Sequence, residues 1–275
     1  MSDTPITTQP GSLKAEELPP QEGGGQGGQQ IPMHRRAQPG APVVAWMPIP
    51  TTSLPNCPPG LEYLTLIDQL LVSQKVELFE VMTGFETNNK YAVLNALGQQ
   101  IYYAKEDNDF CTRQCFGKMR PFDMSILDNF QREVIHINRP FACMHCCYPC
   151  CLQTMEVTAS GAPIGYIEQE WSLCTPLFRI LNAKRETVLK IEGPIITCSC
   201  FGNVDFQVLS ADGQTQVGKI SKQWSGLARE LFTDADNFGI QFPIDLSVEV
   251  KATLLAANFL IDFMYFEDSH NNNNN

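Results

Sequence analysis

The sequence has 275 residues, 43% of them hydrophobic, which suffices for a sizeable core in one large domain or two small ones. Its net charge of -11 and pI of about 4.8 argue against binding to nucleic acid through a large basic surface. Eleven cysteines are too few for a disulfide scaffold of this length, and the first ten residues lack the features of a secretory signal. We therefore expect a reducing compartment for the thiols.

The first 56 residues have the composition of a disordered tail. Residues 1–60 hold twelve of the 19 prolines and eight of the 19 glycines, so they cannot bury enough apolar surface to offset chain entropy. The PxxP motifs at 39–42 and 55–58 could dock in SH3-type grooves, or they are simply part of a solvated tail. The Asn-rich end, 269–275, is also predicted to be unstructured.

From about residue 61 the chain predicts a mainly β fold. Leu64, Ile67, Leu70 and Leu71 have helical spacing and predict one short helix. Ten short β-rich runs follow, and turn-forming residues separate many of them. Successive hairpins of this kind predict an antiparallel meander or a closed barrel, and closure also removes exposed strand edges. The runs are 76–82, 91–94, 101–104, 134–137, 154–157, 164–171, 178–181, 188–191, 204–209 and 217–220.

One apolar segment breaks the β pattern. Residues 252–266 contain no Gly or Pro and predict a helix about 22 Å long, shorter than the roughly 30 Å hydrocarbon core of a bilayer. Lys251, Asn258 and Asp262 share one stripe of this helix. We therefore expect burial inside the barrel, with a tilted membrane span as the alternative. In a filled barrel, the buried carboxylate of Asp262 would need a partner from the strands.

A cysteine-rich run contains four closely spaced thiols around a proline. These are Cys146, Cys147, Cys150 and Cys151. With Cys143, which precedes them, the run has two CxxC spacings, 143–146 and 147–150, and these, with His145 nearby, are typical of zinc ligands. Adjacent cysteines in a loop also suit S-acylation, and stable anchoring takes two acyl chains. The residues alone leave both interpretations open, together with a third in which the cysteines are inert.

An acidic run at 234–245 resembles part of an EF-hand loop, with Asp245 in place of the final glutamate. Its second half alternates apolar with other residues, which predicts a strand and would place Asp245 about 23 Å beyond the strand's start. Calcium would then be bound by Asp234, Asp236 and Asn237 with carbonyls or water, at weak affinity on the order of 10⁻⁴ to 10⁻³ M. A solvated turn is the alternative interpretation.

Residues 56–267, about 210 in all, resemble the phospholipid scramblases. The resemblance implies a twelve-stranded tubby-like barrel over 57–268, closed around a C-terminal hydrophobic helix. It also implies a lipid-anchored membrane protein that moves phospholipids in both directions between leaflets when calcium rises, without ATP. The runs that carry the resemblance are TGFETNNKY at 83–91, CCLQ at 150–153, GKISK at 218–222 and TDADNFGIQFP at 233–243.

The resemblance also assigns roles to the two candidate sites. It implies palmitoylation at the four cysteines named above and calcium binding within the run from Asp234 to Asp245, while Tyr148 replaces a cysteine found in relatives. Such a protein breaks no covalent bond, so it is not an enzyme. It would lie on the cytoplasmic face of the plasma membrane or of a mitochondrial membrane. The alternative function is a membrane-tethered adaptor whose effect on lipid distribution is indirect.

Overall fold

The described part of the chain is a closed β-barrel followed by one long helix. The computed structural model describes residues 45–50, 57–74, 89–107, 121–141, 152–195, 204–222 and 237–266. The predicted fold, a closed antiparallel barrel of twelve strands with a C-terminal helix, is confirmed. The strands are β1 Gln69–Gln74, β2 Lys90–Leu94, β3 Gln100–Glu106, β4 Phe122–Leu127, β5 Glu133–Arg139, β6 Thr154–Ala159, β7 Ala162–Glu170, β8 Leu177–Asn182, β9 Thr187–Glu192, β10 Val204–Ser210, β11 Gln216–Lys222 and β12 Asn237–Gln241.

The strand order follows the chain around the barrel. Each strand pairs antiparallel with the next, and β12 returns to pair with β1, from Gln69 opposite Gln241 to Ser73 opposite Asn237. Because this last pairing closes the sheet, no strand of the barrel presents an unpaired edge to other chains.

The two ends of the barrel differ in their connections. At the end we call the turn end, five hairpin turns of two to five residues join the strands. They are 95–99, 128–132, 160–161, 183–186 and 211–215. At the opposite end, which we call the loop end, the connections between strands are six to fifteen residues long. They are 75–89, 107–121, 140–153, 171–176, 193–203 and 223–236.

Some local predictions are wrong at the strand level. Instead of one short helix, the chain forms a 3-10 helix at Glu62–Leu66 and then enters β1, so Leu70 and Leu71 are strand residues. Sequence patterns missed β4, and the strand predicted at 76–82 lies outside the described residues. Pairing across the closed sheet overrides the local helical spacing of the leucines.

Residues 45–50, which the sequence assigned to the tail, pair with the barrel. Gln100 at the start of β3 donates its backbone N–H to the carbonyl of Ala45, and Met47 donates to the carbonyl of Gln100. The predicted tail before residue 45 and the Asn-rich end lie outside the described residues.

The helix α1, Val248–Tyr265, begins four residues earlier than predicted. Ser247 caps it, because its hydroxyl accepts a hydrogen bond from the backbone N–H of Val250. The helix starts after β12 at the turn end and reaches the loop end at Phe266, whose ring contacts Phe238 of β12. Among the described residues, no helix combines the length and hydropathy needed to cross a membrane.

The helix is buried on all sides inside the barrel, as predicted. Every residue from Lys251 to Phe263 is buried. Phe259 packs against Tyr91 of β2 at 5.0 Å between ring centroids. On another side the helix lies against Gly165 of β7, where an added Cβ would stand 2.3 Å from the hydroxyl oxygen of Thr253. A side chain at that glycine would therefore push the helix away from the barrel wall.

The Phe259→Ala variant tests this enclosure. Removing a ring that is 1% exposed should leave a core cavity and lower the free energy of unfolding by about 3 to 5 kcal/mol. Chemical denaturation of the purified protein measures the loss. Leu97→Ala, at a turn-end side chain that is 79% exposed, is the control and should change stability by less than about 0.5 kcal/mol. Equal effects of the two variants would contradict enclosure.

Candidate functional site

The two predicted membrane-related segments both attach to the loop end. Their cysteines and two of their aspartates lie outside the described residues: Cys146, Cys147, Cys150, Cys151, Asp234 and Asp236. The described residues that flank them are Phe141 after β5, Leu152 before β6, Lys222 at the end of β11 and Asn237 at the start of β12. The barrel therefore brings the attachment points of the cysteine cluster and of the acidic run to one end.

Asn237 fits the oxygen-ligand role predicted for it. It opens β12 opposite Ser73, is 8% exposed, and its side-chain oxygen Oδ1 has no hydrogen-bond partner in the described part of the chain. An amide oxygen is a ligand that calcium accepts, and Asp236 precedes this residue directly. The described ranges themselves contain no group of three or more His, Cys, Asp or Glu side chains arranged for a metal.

Asp245 lies at the other end of β12 from Asn237. The strand is shorter than predicted, because it ends at Gln241 and the chain then turns, with the N–H of Leu246 donating to the carbonyl of Pro243. The strand alone spans about 13 Å at about 3.3 Å per residue. Asp245 therefore belongs to the turn end, and the whole length of β12 separates it from Asn237.

Lys251 connects the helix to two other segments at the turn end. Its ammonium Nζ donates to the carbonyls of Leu64 at 2.9 Å, Ile67 at 2.8 Å and Ile244 at 2.7 Å. The residue is fully buried, and the three carbonyls use all three donors of the ammonium group. This one side chain thus holds the 3-10 helix, the entry to β1 and the turn after β12 against α1.

Burial and neighbouring charges shift the pKa of this lysine in opposite directions. Loss of contact with water lowers the pKa of Lys251, while the negative charges of Asp68 and Asp245 act in the opposite direction. Asp245 is thus one of two negative charges that favour the charged form of Lys251, a relation that the sequence did not suggest.

The other two residues of the predicted helix stripe are also enclosed. Asp262 accepts a hydrogen bond from the hydroxyl of Tyr91 at 2.9 Å, which is the strand partner that a filled barrel required. Asn258 is fully buried, and neither polar atom of its amide has a hydrogen-bond partner among the described residues. The barrel wall therefore encloses the whole polar stripe, which offers no polar track to lipid.

Two buried cations at the loop end were missed by sequence analysis. Arg139, the last residue of β5, donates to the side-chain oxygen of Gln153 at 2.6 Å and lies 4.5 Å above the ring of Phe263. Lys222, the last residue of β11, lies 4.2 Å above the ring of Phe266. These pairs fix the strand ends from which the cysteine and acidic segments depart. Gln153 and Lys222 are the last residues of two sequence runs that carry the family resemblance. Membership of these runs was the only sign in the sequence that the two residues matter.

Comparisons with known proteins match the part of the chain that forms the barrel and the helix. The profile of the family described as Scramblase matches residues 47–268, which include the whole barrel and the helix. Phospholipid scramblase 2 of Bos taurus is 61% identical over 231 residues, covering 83% of this chain and 78% of the relative. Phospholipid scramblase 1 of Homo sapiens is 59% identical over 231 residues, covering 84% and 72%. Phospholipid scramblase 2 of Homo sapiens is 56% identical over 232 residues, covering 84% and 78%.

The Lys251→Met variant tests the buried ammonium. It keeps the length of the side chain but leaves three carbonyls without their donor, so we expect a loss of about 3 kcal/mol in unfolding free energy. Denaturation at neutral pH measures it, with the exposed Lys184→Met as the control. Because burial lowers the folded-state pKa, the unfolded chain binds more protons between that pKa and 10.5. The wild type's advantage over the variant should therefore increase as the pH rises through this window, and a constant or shrinking advantage would contradict the assignment.

Proposed function

The chain belongs to the scramblase family, and we propose on this premise that it moves phospholipids in both directions between the leaflets of a membrane. The observation that carries the proposal is the extent of the match, which runs through all twelve strands and α1 at up to 61% identity to a protein named for this activity. Such movement follows the lipid gradient and breaks no covalent bond, so we further propose that it needs no ATP and no catalytic nucleophile.

The filled barrel limits where lipid can move. Because α1 occupies the interior and its polar stripe faces the strands, the described arrangement leaves no path for a headgroup through the barrel axis. We propose instead that the barrel acts at the membrane surface through its loop end. From there the segments between β5 and β6 and between β11 and β12 can reach the lipid.

We propose that acyl chains hold the loop end against the membrane. The four cysteines of the cluster lie within the 140–153 connection, between strand ends fixed by Arg139 and Gln153. Two acyl chains suffice for stable attachment, and the cluster offers four thiols. We propose that the protein anchored in this way lies on the cytoplasmic face, at the plasma membrane or at a mitochondrial membrane. Zinc binding by the same thiols is the alternative that the residues leave open.

We propose that calcium binds where the second segment joins β12. Asp234, Asp236 and the unpartnered amide oxygen of Asn237 supply hard oxygen donors, and these fit a calcium ion. Few protein charges predict weak affinity, so the site would respond to a large rise in calcium.

A membrane-tethered adaptor is the second candidate function. The observation that favours it is the same filled interior, which offers no aqueous groove between leaflets. In this case the PxxP motifs at 39–42 and 55–58 would recruit SH3-type domains, and the effect on lipids would be indirect.

Purified protein in vesicles containing labelled phospholipid distinguishes the two functions. We expect calcium, without ATP, to speed exposure of the label in vesicles that carry the protein. Asp236→Ala should abolish the calcium response, while Asp245→Ala, the matched control at the turn end, should keep it. Calcium-insensitive vesicles would favour the adaptor. Equal loss of response in both variants, with both folded, would refute the assignment of calcium to the loop end.

Replacing the four clustered cysteines tests the anchor. The quadruple Ser variant at Cys146, Cys147, Cys150 and Cys151 should move from the membrane to the soluble fraction on cell fractionation. Cys174→Ser, at an exposed cysteine in another loop-end connection, is the control and should stay on the membrane. Stoichiometric zinc in the purified wild type, lost in the quadruple variant, would support the metal interpretation instead.

A further inference from the structure

Three large apolar side chains are exposed on two neighbouring connections at the loop end. Trp171 and Leu173 lie between β7 and β8, where they are 52% and 84% exposed, and Ile195 follows β9 and is 74% exposed. We call these three residues the apolar rim. Large apolar side chains that a protein exposes together mark an interaction surface more often than isolated ones do.

The two connections are fixed against each other. Leu177, the first residue of β8, pairs with Glu192, the last residue of β9. The N–H of Gly193 then donates to the carbonyl of Pro176 at 2.8 Å. An added Cβ at Gly193 would lie 2.6 Å from the ring of Phe206, so the glycine allows this close packing. The apolar rim is therefore carried on one supported surface.

The connections that carry the rim have few polar groups that a lipid environment would leave unpaired. Neither connection, 171–176 or 193–203, contains a charged residue. The N–H of Thr175 donates to the hydroxyl oxygen of Ser172 at 3.3 Å, and the two hydroxyls are 3.3 Å apart. Pro176 and Pro194 have no N–H. Because polar groups without partners are costly in lipid, this composition suits entry into a bilayer surface.

The rim is next to the segment that carries the clustered cysteines. The backbone N–H of Gln169 donates to the carbonyl of Gln153 at 2.8 Å, and the N–H of Gln153 donates to the side-chain oxygen of Gln169 at 3.1 Å. Gln153 lies two residues after Cys151, and Gln169 lies two residues before Trp171. The chain thus returns from the cysteine cluster directly beside the first residue of the rim.

We propose that the apolar rim inserts into the surface of a phospholipid bilayer and forms a second, non-covalent membrane contact beside the cysteine cluster. The inference rests on the loop-end attachment in the proposed function and adds the residues that touch lipid. Trp171 suits this position, because tryptophan combines a large apolar ring with one N–H and is enriched at membrane interfaces. Leu173 and Ile195 supply aliphatic side chains without polar atoms.

The contact is apolar and does not depend on anionic lipid. Neither connection contains Lys or Arg, and the chain has a net charge of -11, so a negative membrane surface would not attract it. A partner protein is the other occupant that exposed apolar side chains suit. The bilayer is favoured because the rim borders the predicted acyl segment and the chain belongs to a family of proteins named for phospholipids.

Tryptophan quenching by brominated lipid tests the insertion. The full chain has three tryptophans, so one reporter keeps only Trp171, with Trp46 and Trp224 replaced by Phe, and the other keeps only Trp46. An N-terminal histidine tag holds each reporter on vesicles of brominated phosphatidylcholine and nickel-chelating lipid. The chain enters the barrel beside Gln100 at the turn end, so the tether does not itself press the loop end against lipid. Flotation with the vesicles verifies tethering.

We expect brominated lipid to remove about half of the Trp171 fluorescence and to leave that of Trp46, at the turn end, almost unchanged. In the Trp171 reporter, Leu173→Ser and Ile195→Ser should each lower the ratio of inserted to uninserted protein about tenfold. Leu97→Ser and Ile244→Ser are the matched controls, because they alter the same residue types, also exposed, at the turn end. They should leave the quenching unchanged, as should sodium chloride at about 1 M.

Four results would overturn the proposal. Trp171 could stay unquenched in the tethered protein, both reporters could be quenched equally, or salt could abolish the quenching and so reveal an electrostatic contact. Self-association without vesicles that Leu173→Ser abolishes would instead show an interface between copies of the chain. These measurements involve no acyl chains, calcium or lipid transfer, so their failure leaves the proposed function standing. Absence of lipid movement with Trp171 still quenched would contradict the proposed function alone.

Discussion

The helix inside the barrel is the constraint on which the rest of this structure depends. Eight strands enclose an interior that their own side chains can fill, and sixteen or more leave a channel. A barrel of twelve strands lies between these cases, so its own side chains do not fill the interior. The helix α1 fills it and is buried on every side. The helix needs the barrel equally, because an all-round apolar helix must be covered by protein or by lipid.

Enclosure gives the polar residues of the helix a structural purpose. Lys251 joins three backbone carbonyls at the turn end, and Asp262 accepts from Tyr91 farther along the helix. These contacts fix the depth and rotation of α1, which apolar packing alone would leave less specific. The same residues on a membrane-spanning helix would have suggested a lipid path, so their burial changes the mechanism we propose.

The two ends of the barrel carry different polar groups. Buried Arg139 and Lys222 hold the strand ends at the loop end, where the cysteine and acidic segments attach. Short turns and the three carbonyls around Lys251 occupy the turn end. If the loop end faces lipid, the turn end faces the solution.

The sequence by itself determined the fold class, the enclosed helix and the need of Asp262 for a strand partner, because alternation, hairpin turns and an apolar stretch too short for a bilayer are local signals. It missed β4 and gave Leu70 and Leu71 to a helix, because their state is decided by pairing with distant strands. Only the tertiary structure gave Lys251 its three carbonyls and placed Arg139 against Gln153 and the ring of Phe263. Each of these depends on the register and closure of the barrel, and closure joins residues that lie far apart along the chain.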